Sequence, residues 1–441
     1  MLILLGAAKR FLRFLDVGPE EVRRVGTMFC LFFFLLAANS VLKILRDSVF
    51  LANHSVTELP YLYLSVAFLS GVIIAAYTRH TARAPIYQLI VASNAFILSN
   101  TILFWFLRTF FDAGWLHYAF YIWSAMVGAI TITQSWTFAS ELFDLPEATR
   151  FYGIFTAGGT LGGAAGAFGV KWAVLPFVET NQLFWFAAAF IAAACGVAFL
   201  ARKERRTAAA ETPKASKYTK DVAEKNSFHL LHGSRYLQVI AGMIFVSVLV
   251  STLIDFQFKA AVKTSYPSEK VLTDFFSTYY TWLYVVTFLA QVVLTRKFLA
   301  VLGVIPSLLL TPAVLGMGST GIMVWPGLFT ATATRLADVA LRTSIHRSGI
   351  EILYIPVTAE VKRRLKTFLD VVVERLGDAT AGFIILVYTA VWRTSDVTEV
   401  HFICIGLILV WIFLASLMRS GFLRAPGTEL EPRTLSHPEK D

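Results

Sequence analysis

Long apolar runs alternate with short polar connectors along most of the chain. A membrane-spanning helix needs about 20 mostly apolar residues. On that measure the pattern predicts twelve spans, at 25–50, 61–77, 86–107, 116–142, 151–175, 183–201, 236–258, 275–294, 298–324, 326–345, 367–391 and 402–418. The tenth is the least continuous, because Arg335, Asp338 and Arg342 interrupt it. Between the sixth and seventh lies the polar stretch 202–235, which reads RKERRTAAAETPKASKYTKDVAEK over most of its length. The predicted organisation is an N-terminal segment 1–24, six helices in 25–201, a linker 202–235, six helices in 236–418 and a tail 419–441.

Six spans plus six is the layout of the major facilitator superfamily, whose two halves are parallel repeats. The expected fold class is an all-α membrane protein of that kind. A shift of 219 residues places Glu141 on Glu360, Gly158 on Gly377 and Gly163 on Gly382, a trace of an internal repeat.

Composition agrees with lipid as the solvent. Hydrophobic residues make up 56% of the 441 positions and charged residues 15%, against about 25% charged in soluble chains. This excludes a disordered chain, a coiled coil and an ordinary soluble enzyme. Most of the 38 Phe, 10 Trp and 15 Tyr are expected to face lipid or its interfaces. Lys and Arg cluster in alternate connectors: before span one, after span two, in the central linker, after spans eight and ten, and in the tail. The opposite connector 52–60 has none. Both termini are therefore expected in the cytoplasm, and much of the formal charge of +10 is this topological signal. Cys30, Cys195 and Cys404 lie inside apolar runs, so no disulfide framework is implied. The start, MLILLGAAKRFLRF, carries its charges after the apolar stretch, the reverse of a signal peptide.

Charges at membrane depth cost at least about 2.5–3.5 kcal/mol each, and they persist where they pair or face a wet cavity. Span one carries Lys43, Arg46 and Asp47 near its outer end. Lys43 and Asp47 share a face at a spacing of four, as an interfacial pair or as a cluster that meets an anion. Arg335, Asp338 and Arg342 lie on one face of span ten. One Asp neutralises one Arg, and the surplus guanidinium suits phosphate or carboxylate. The alternative is a structural network between helices. Asp370, Glu374, Arg375 and Asp378 recur at three- and four-residue spacings in span eleven. There, as for Glu141, Asp144, Glu147 and Arg150 after span four, a gate or loop anchor is the expected role. Asp255 and Lys259 mirror the span-one cluster in the second half.

Other patterns carry no chemistry. Gly158, Gly162 and Gly166 are spaced by four, as are Gly159 and Gly163, which is the pattern of close helix packing. No Lys-Ser/Thr follows them and no strand precedes them, so neither a phosphate loop nor a dinucleotide fingerprint is present. His229 and His232 lack further ligands for a metal. No nucleophilic constellation emerges, so no enzyme activity and no cofactor are expected, and no nucleic-acid motif is present. Trp136, Tyr279 and Trp282 could stack on a base.

Three stretches together resemble the nucleotide transporter family, the ATP/ADP translocases of plastids and intracellular bacteria. Leu42–Leu51, LKILRDSVFL, is similar to that family's Leu-Arg-Asp segment in helix one. Pro146–Tyr152, PEATRFY, followed by GIFTAGG, is similar to its segment before helix five. Leu353–Gly382 resembles its Tyr-Ile-Pro, Lys-rich loop, Ile-Asp-Val-Val and Arg-Leu-Gly run. The resemblance implies twelve helices and exchange of adenine nucleotides; the expected location is the bacterial inner membrane. It assigns motif positions to Arg46, Asp47, Glu147, Arg150, Lys362, Lys366, Asp370 and Arg375. Two departures lower the positive charge along the path. Ser48, Val49 and Phe50 stand where ATP/ADP translocases usually carry Thr-Lys-Asp, and Asp378 stands where they tend to carry Lys.

The expected function is nucleotide transport by alternating access, with Lys43, Arg46, Arg335 and Arg342 meeting the anion. Asp47, Glu141, Glu147, Arg150, Asp338, Lys362, Lys366, Asp370, Arg375 and Asp378 are the expected gate or motif residues. The alternative is a major-facilitator transporter of another anionic or small organic solute, with or without proton coupling. The expected partners are the anionic substrate and the bilayer, with no protein partner implied.

Overall fold

The computed structural model describes residues 18, 21–81, 86–111, 113–208, 231, 234–355, 357, 368–392 and 398–419. Among these residues the secondary structure is helical, with no strand. The helices are α1 (Val22–Asn53), α2 (Leu59–Thr81), α3 (Ile86–Phe110), α4 (Gly114–Leu142), α5 (Leu145–Gly169), α6 (Leu183–Ala208), α7 (Arg235–Ser265) and α8 (Glu269–Leu289). A π turn, Ala290–Leu294, carries α8 on into Thr295–Leu302. There follow α9 (Val304–Val324), α10 (Leu328–Leu341), α11 (Glu374–Trp392) and α12 (Thr398–Arg419). The π turn Arg342–His346 joins α10 to Arg347–Leu353, and the π turn Leu369–Val373 leads into α11.

Nine of these helices are long and apolar enough to cross a membrane, among the described residues. The other three are α5, α10 and α11, where spans were also expected. Glycine and threonine dilute the apolar run in α5. In α10 only Leu328–Leu341 is regular before its π turn, and α11 opens on Glu374, Arg375 and Asp378. The spanning count of twelve thus remains an expectation. One break also moves: Arg296 and Lys297 continue α8, and the chain turns at Gly303. There φ is +80°, a backbone that only glycine adopts without strain.

By packing, the chain divides into two compact units. The first contains Met1–Glu58, Val72–Lys214 and Val262–Phe288; the second contains Leu59–Gly71, Ala215–Ala261 and Leu289–Asp441. Each unit therefore holds the helices of one sequence half together with part of the second helix of the other half.

In the first unit α1 packs on α4, α5 and α6. Met28, Leu31, Phe32 and Leu35 of α1 meet Phe138, Phe151, Phe155 and Ala194 in one buried cluster. Lipid tails are as apolar as these side chains, so association rests on close van der Waals packing rather than on escape from water. The glycine stripe provides it. A methyl group at Gly158 would meet the Phe29 carbonyl oxygen at 3.0 Å, and one at Gly166 would meet that of Ala37 at 2.6 Å. Only bare backbone on α5 lets α1 lie so near.

The second unit repeats the device. A methyl at Gly377 would meet the Phe245 carbonyl oxygen of α7 at 3.0 Å. Gly163 faces the Tyr284 ring of α8, while Gly382 faces Tyr63 and Leu64 of α2. The glycines paired by the 219-residue shift thus pack against equivalent helices, first against first and second against second; Glu360, paired with Glu141, lies outside the described residues.

The start of α5 is fixed locally. Asp144 accepts from the Glu147 backbone N–H at 2.9 Å, and Glu147 accepts in return from the Asp144 N–H at 3.2 Å. Pro146 sits in the first turn, where a missing N–H is harmless. Arg24 of α1 donates to the other Glu147 oxygen at 2.6 Å and to the Leu142 carbonyl at 3.2 Å. Glu147→Ala is expected to cost about 1–2 kcal/mol through the lost cap and ion pair. Glu147→Gln, which keeps the cap, should fall between it and the parent in a thermal unfolding series in detergent. Equal unfolding temperatures for Glu147→Ala and the parent would refute this.

Candidate functional site: paired charges inside apolar helices

Each unit encloses a network of ionised side chains in an otherwise apolar interior. In the first unit the network is built on α1. Arg46 lays its guanidinium along the carboxylate of the next residue, with Nε 2.9 Å from Asp47 Oδ1 and Nη2 3.2 Å from Oδ2. The Tyr280 hydroxyl of α8 donates to Asp47 Oδ2 at 2.7 Å. The guanidinium carbon lies 4.6 Å from the centre of the Tyr121 ring of α4, a cation–π contact that helps hold a charge away from water. The Asp47 side chain is fully buried. Lys43 is half-buried one turn earlier on the same helix. Arg46 and Asp47 are adjacent and would not face each other as short side chains; only the length of the arginine brings them together.

In the second unit the network joins α7, α10, α11 and the start of α2. Arg335 is its hub. Its Nη2 is 2.8 Å from Asp255 Oδ1, and its Nη1 is 2.6 Å from Asp338 Oδ2. Nη1 also donates to the Ser251 hydroxyl at 3.0 Å, and that hydroxyl donates to Asp338 Oδ2 at 2.6 Å. Asp255 takes Lys259 at 2.8 Å and the Tyr63 hydroxyl at 2.8 Å. Ser251, Asp255 and Lys259 recur every four residues, so one face of α7 supplies three members. Arg342 opens the π turn of α10, with its Nε 3.5 Å from Asp338 Oδ1. Neither of those two buried atoms has a hydrogen-bond partner. Arg375 donates to Asp378 Oδ2 at 2.9 Å, and Thr252 donates to Oδ1 at 2.9 Å.

The structure widens the cluster read from α10 and keeps its surplus of one positive charge. Asp338 alone left Arg335 and Arg342 with a surplus. Asp255, 80 positions away in the chain, supplies a second carboxylate. Four cations, Lys259, Arg335, Arg342 and Arg375, now face three carboxylates, Asp255, Asp338 and Asp378. The network is close to neutral, which is how ionised groups persist out of water. Its guanidinium forks match the geometry of phosphate and carboxylate oxygens, so an anion would bind by displacing resident aspartates.

The remaining expected residues lie elsewhere. Glu141 and Arg150 are exposed, Glu147 caps α5, and Arg150 is 3.4 Å from Glu21. Asp370 lies in the π turn before α11, its side chain outside the described residues, as are Lys362 and Lys366. The charges on α10 and α11 were legible, but Tyr63, Tyr121, Tyr280 and Ser251 were not, because single polar residues inside apolar helices carry no spacing signal. Among the described residues no cluster of His, Cys, Asp and Glu could hold a metal ion.

A sequence profile described as TLC ATP/ADP transporter matches residues 61–345 and 322–422. The chain belongs to the TLC ATP/ADP transporter family. Among curated relatives of this TLC-family protein, ADP,ATP carrier protein 1 of Chlamydia muridarum is 22% identical over 359 residues, covering 71% of this chain and 67% of that protein. ADP,ATP carrier protein 3 of Rickettsia typhi is 23% identical over 375 residues, covering 73% and 72%. The fold is shared with a bacterial homologue of the iron transporter ferroportin, solved in an inward-facing state. That match has a TM-score of 0.60 at 13% identity and covers 91% of this chain and all of the other. The chain thus combines an all-helical fold shared with that homologue, among its described residues, with membership of the TLC ATP/ADP transporter family. The alternative of an unrelated solute is not favoured.

Proposed function

We propose that this TLC-family protein exchanges ATP for ADP across the bacterial inner membrane, with both termini in the cytoplasm. Its six-helix halves, 25–201 and 236–418, would rock in alternating access, and Lys43, Arg46, Arg335 and Arg342 would meet the phosphates. One observation carries the reading: Arg46 is held bidentately by Asp47, and Arg335 bridges Asp255 and Asp338, in helices otherwise built for lipid. A structural ion pair would need one carboxylate for each cation. Arg335 instead has two, so it can release one to a phosphate oxygen and remain paired. The carboxylate set free retains Lys259 or Arg342 beside it, which lowers the cost of swapping partners in a low-dielectric site.

The test is uptake of labelled ATP into proteoliposomes with and without internal ADP. Uptake is expected to require the internal nucleotide. Arg335→Ala should reduce it at least about 100-fold, since about 3–5 kcal/mol attaches to breaking a buried charge pair. Uptake driven by a pH gradient into vesicles without nucleotide would overturn the exchange reading.

A further inference from the structure

We propose that the first unit binds the nucleobase of its substrate in an aromatic cavity between α1, α4, α5 and α8, about three helical turns from Arg46. This rests on the nucleotide-transport reading above and adds to it the part of the ligand that the charges do not explain.

The cavity has a volume of about 140 Å³ and is lined by Phe32, Leu36, Trp136, Thr156, Thr160 and Tyr284, among others. Sites for whole drug-sized ligands occupy about 300–1,000 Å³. This space therefore suits one flat ring system and not a complete nucleotide. Trp136 stands edge-on to Phe32, with ring centres 4.9 Å apart. Gly159 and Gly163 make the room. A methyl group on Gly159 would touch Leu36 at 3.3 Å, and one on Gly163 would strike the Tyr284 ring at 2.6 Å. Every nucleobase has a π face, and stacking on aromatic side chains is a general way to hold one. The Thr156 and Thr160 hydroxyl protons are committed to carbonyls four residues back, at 2.9 Å each. Their lone pairs remain as acceptors, which suits a base with an amino group, such as adenine.

The position of the cavity on α1 gives the second line of argument. At 100° per residue, Phe32, Leu36, Asn39, Ser40, Lys43, Arg46 and Asp47 fall within about 120° of one another, one stripe along the helix. From the Phe32–Leu36 turn to the Lys43–Arg46 turn the rise is about 16 Å, the scale of an extended nucleoside polyphosphate. Between these ends lie Asn39, 2% exposed, and Ser40, fully buried. Both amide atoms of Asn39 lack hydrogen-bond partners. Buried polar atoms left unsatisfied are unusual and call for a ligand or water; ribose hydroxyls would satisfy them. Aromatic rings, unsatisfied polar groups and cations follow one another along α1 in the order base, sugar, phosphate. Tyr284 closes the circuit: its ring is 6.5 Å from that of Tyr280, whose hydroxyl holds Asp47.

The experiment compares ATP with tripolyphosphate, which has the charge but no base. In proteoliposomes, Trp136→Ala is expected to raise the half-saturating ATP concentration about tenfold or more, while inhibition by tripolyphosphate stays unchanged and Trp136→Phe restores ATP binding. A parallel weakening of both ligands, or an unaltered ATP response as when a lipid chain fills the cavity, overturns the subsite. A second measurement needs no variant: photolysis with 8-azido-ATP should label the peptides carrying Trp136, Thr156 or Tyr284. Labelling confined to other peptides refutes the assignment even if Trp136→Ala fails to fold. Wild-type protein that transports another anion, and neither binds nor moves ATP, would overturn the nucleotide reading itself. Intact ATP exchange with a failed Trp136 or labelling result overturns the subsite alone.

Discussion

Asp338→Ala is expected to lower stability by about 3–5 kcal/mol, more than any other single charge removal in the second unit. The Asp338 side chain is fully buried, and it holds Arg335 at 2.6 Å, the Ser251 hydroxyl at 2.6 Å and Arg342 at 3.5 Å. Without it, two guanidinium groups share Asp255 and Asp378, and Ser251 loses its acceptor. An uncompensated charge in an apolar interior is costlier than the pair it came from. Adding Arg335→Met to Asp338→Ala should therefore recover part of the loss, since it removes the stranded cation and keeps the volume. Thermal unfolding in detergent of the parent, the two single variants and the double variant closes the cycle. A double variant whose loss equals the sum of the singles would show that the two residues are not coupled.

The second large effect is expected at Gly162. An alanine methyl there would run into the carbonyl oxygen of Phe33 and lie 2.7 Å from the Phe33 Cα. Neither contact can relax by turning a side chain, because both atoms are backbone. Separating α1 from α5 is the remaining response, and it would open the cluster around Phe32, Phe151 and Phe155. A loss of at least about 3 kcal/mol is expected, seen as failure to purify as a monodisperse species or as a steep fall in unfolding temperature. Gly153→Ala is the control. It lies on the same helix with nothing within 4 Å, and alanine is the better helix former there by about 0.5–1 kcal/mol. Equal stability for the two variants would mean that α1 and α5 do not depend on this contact.

The two predictions draw on features of opposite legibility. The glycine stripe Gly158, Gly162, Gly166 was readable as a packing face because a four-residue period is a local property of one helix. The same holds for Arg335, Asp338 and Arg342, which any helix would place together. The partners of these residues were not readable. Asp255 reaches Arg335 across 80 positions, and Tyr280 reaches Asp47 across 233. Separations of that size are set by how helices cross, and an apolar helix offers many nearly equivalent crossings. The surplus of one positive charge read from α10 persists in the network, but which carboxylate holds which guanidinium is decided between helices.

The apolar period decided the solvent, the helical class and the runs that enter the membrane, because a backbone in lipid must satisfy its own hydrogen bonds. The alternation of basic connectors decided the expected orientation, and motif spacing pointed to the family. Tertiary structure alone decided which carboxylate neutralises which guanidinium. It also decided that the start of α2 and nearly all of α8 each pack with the opposite sequence half, and that Phe32, Trp136 and Tyr284 line one cavity. The physical reason is one of range. Hydropathy and helical periodicity act over a few residues and are written in order along the chain. Ion pairing and ring packing act through space, over a few ångströms, between residues whose proximity exists only once the helices have docked.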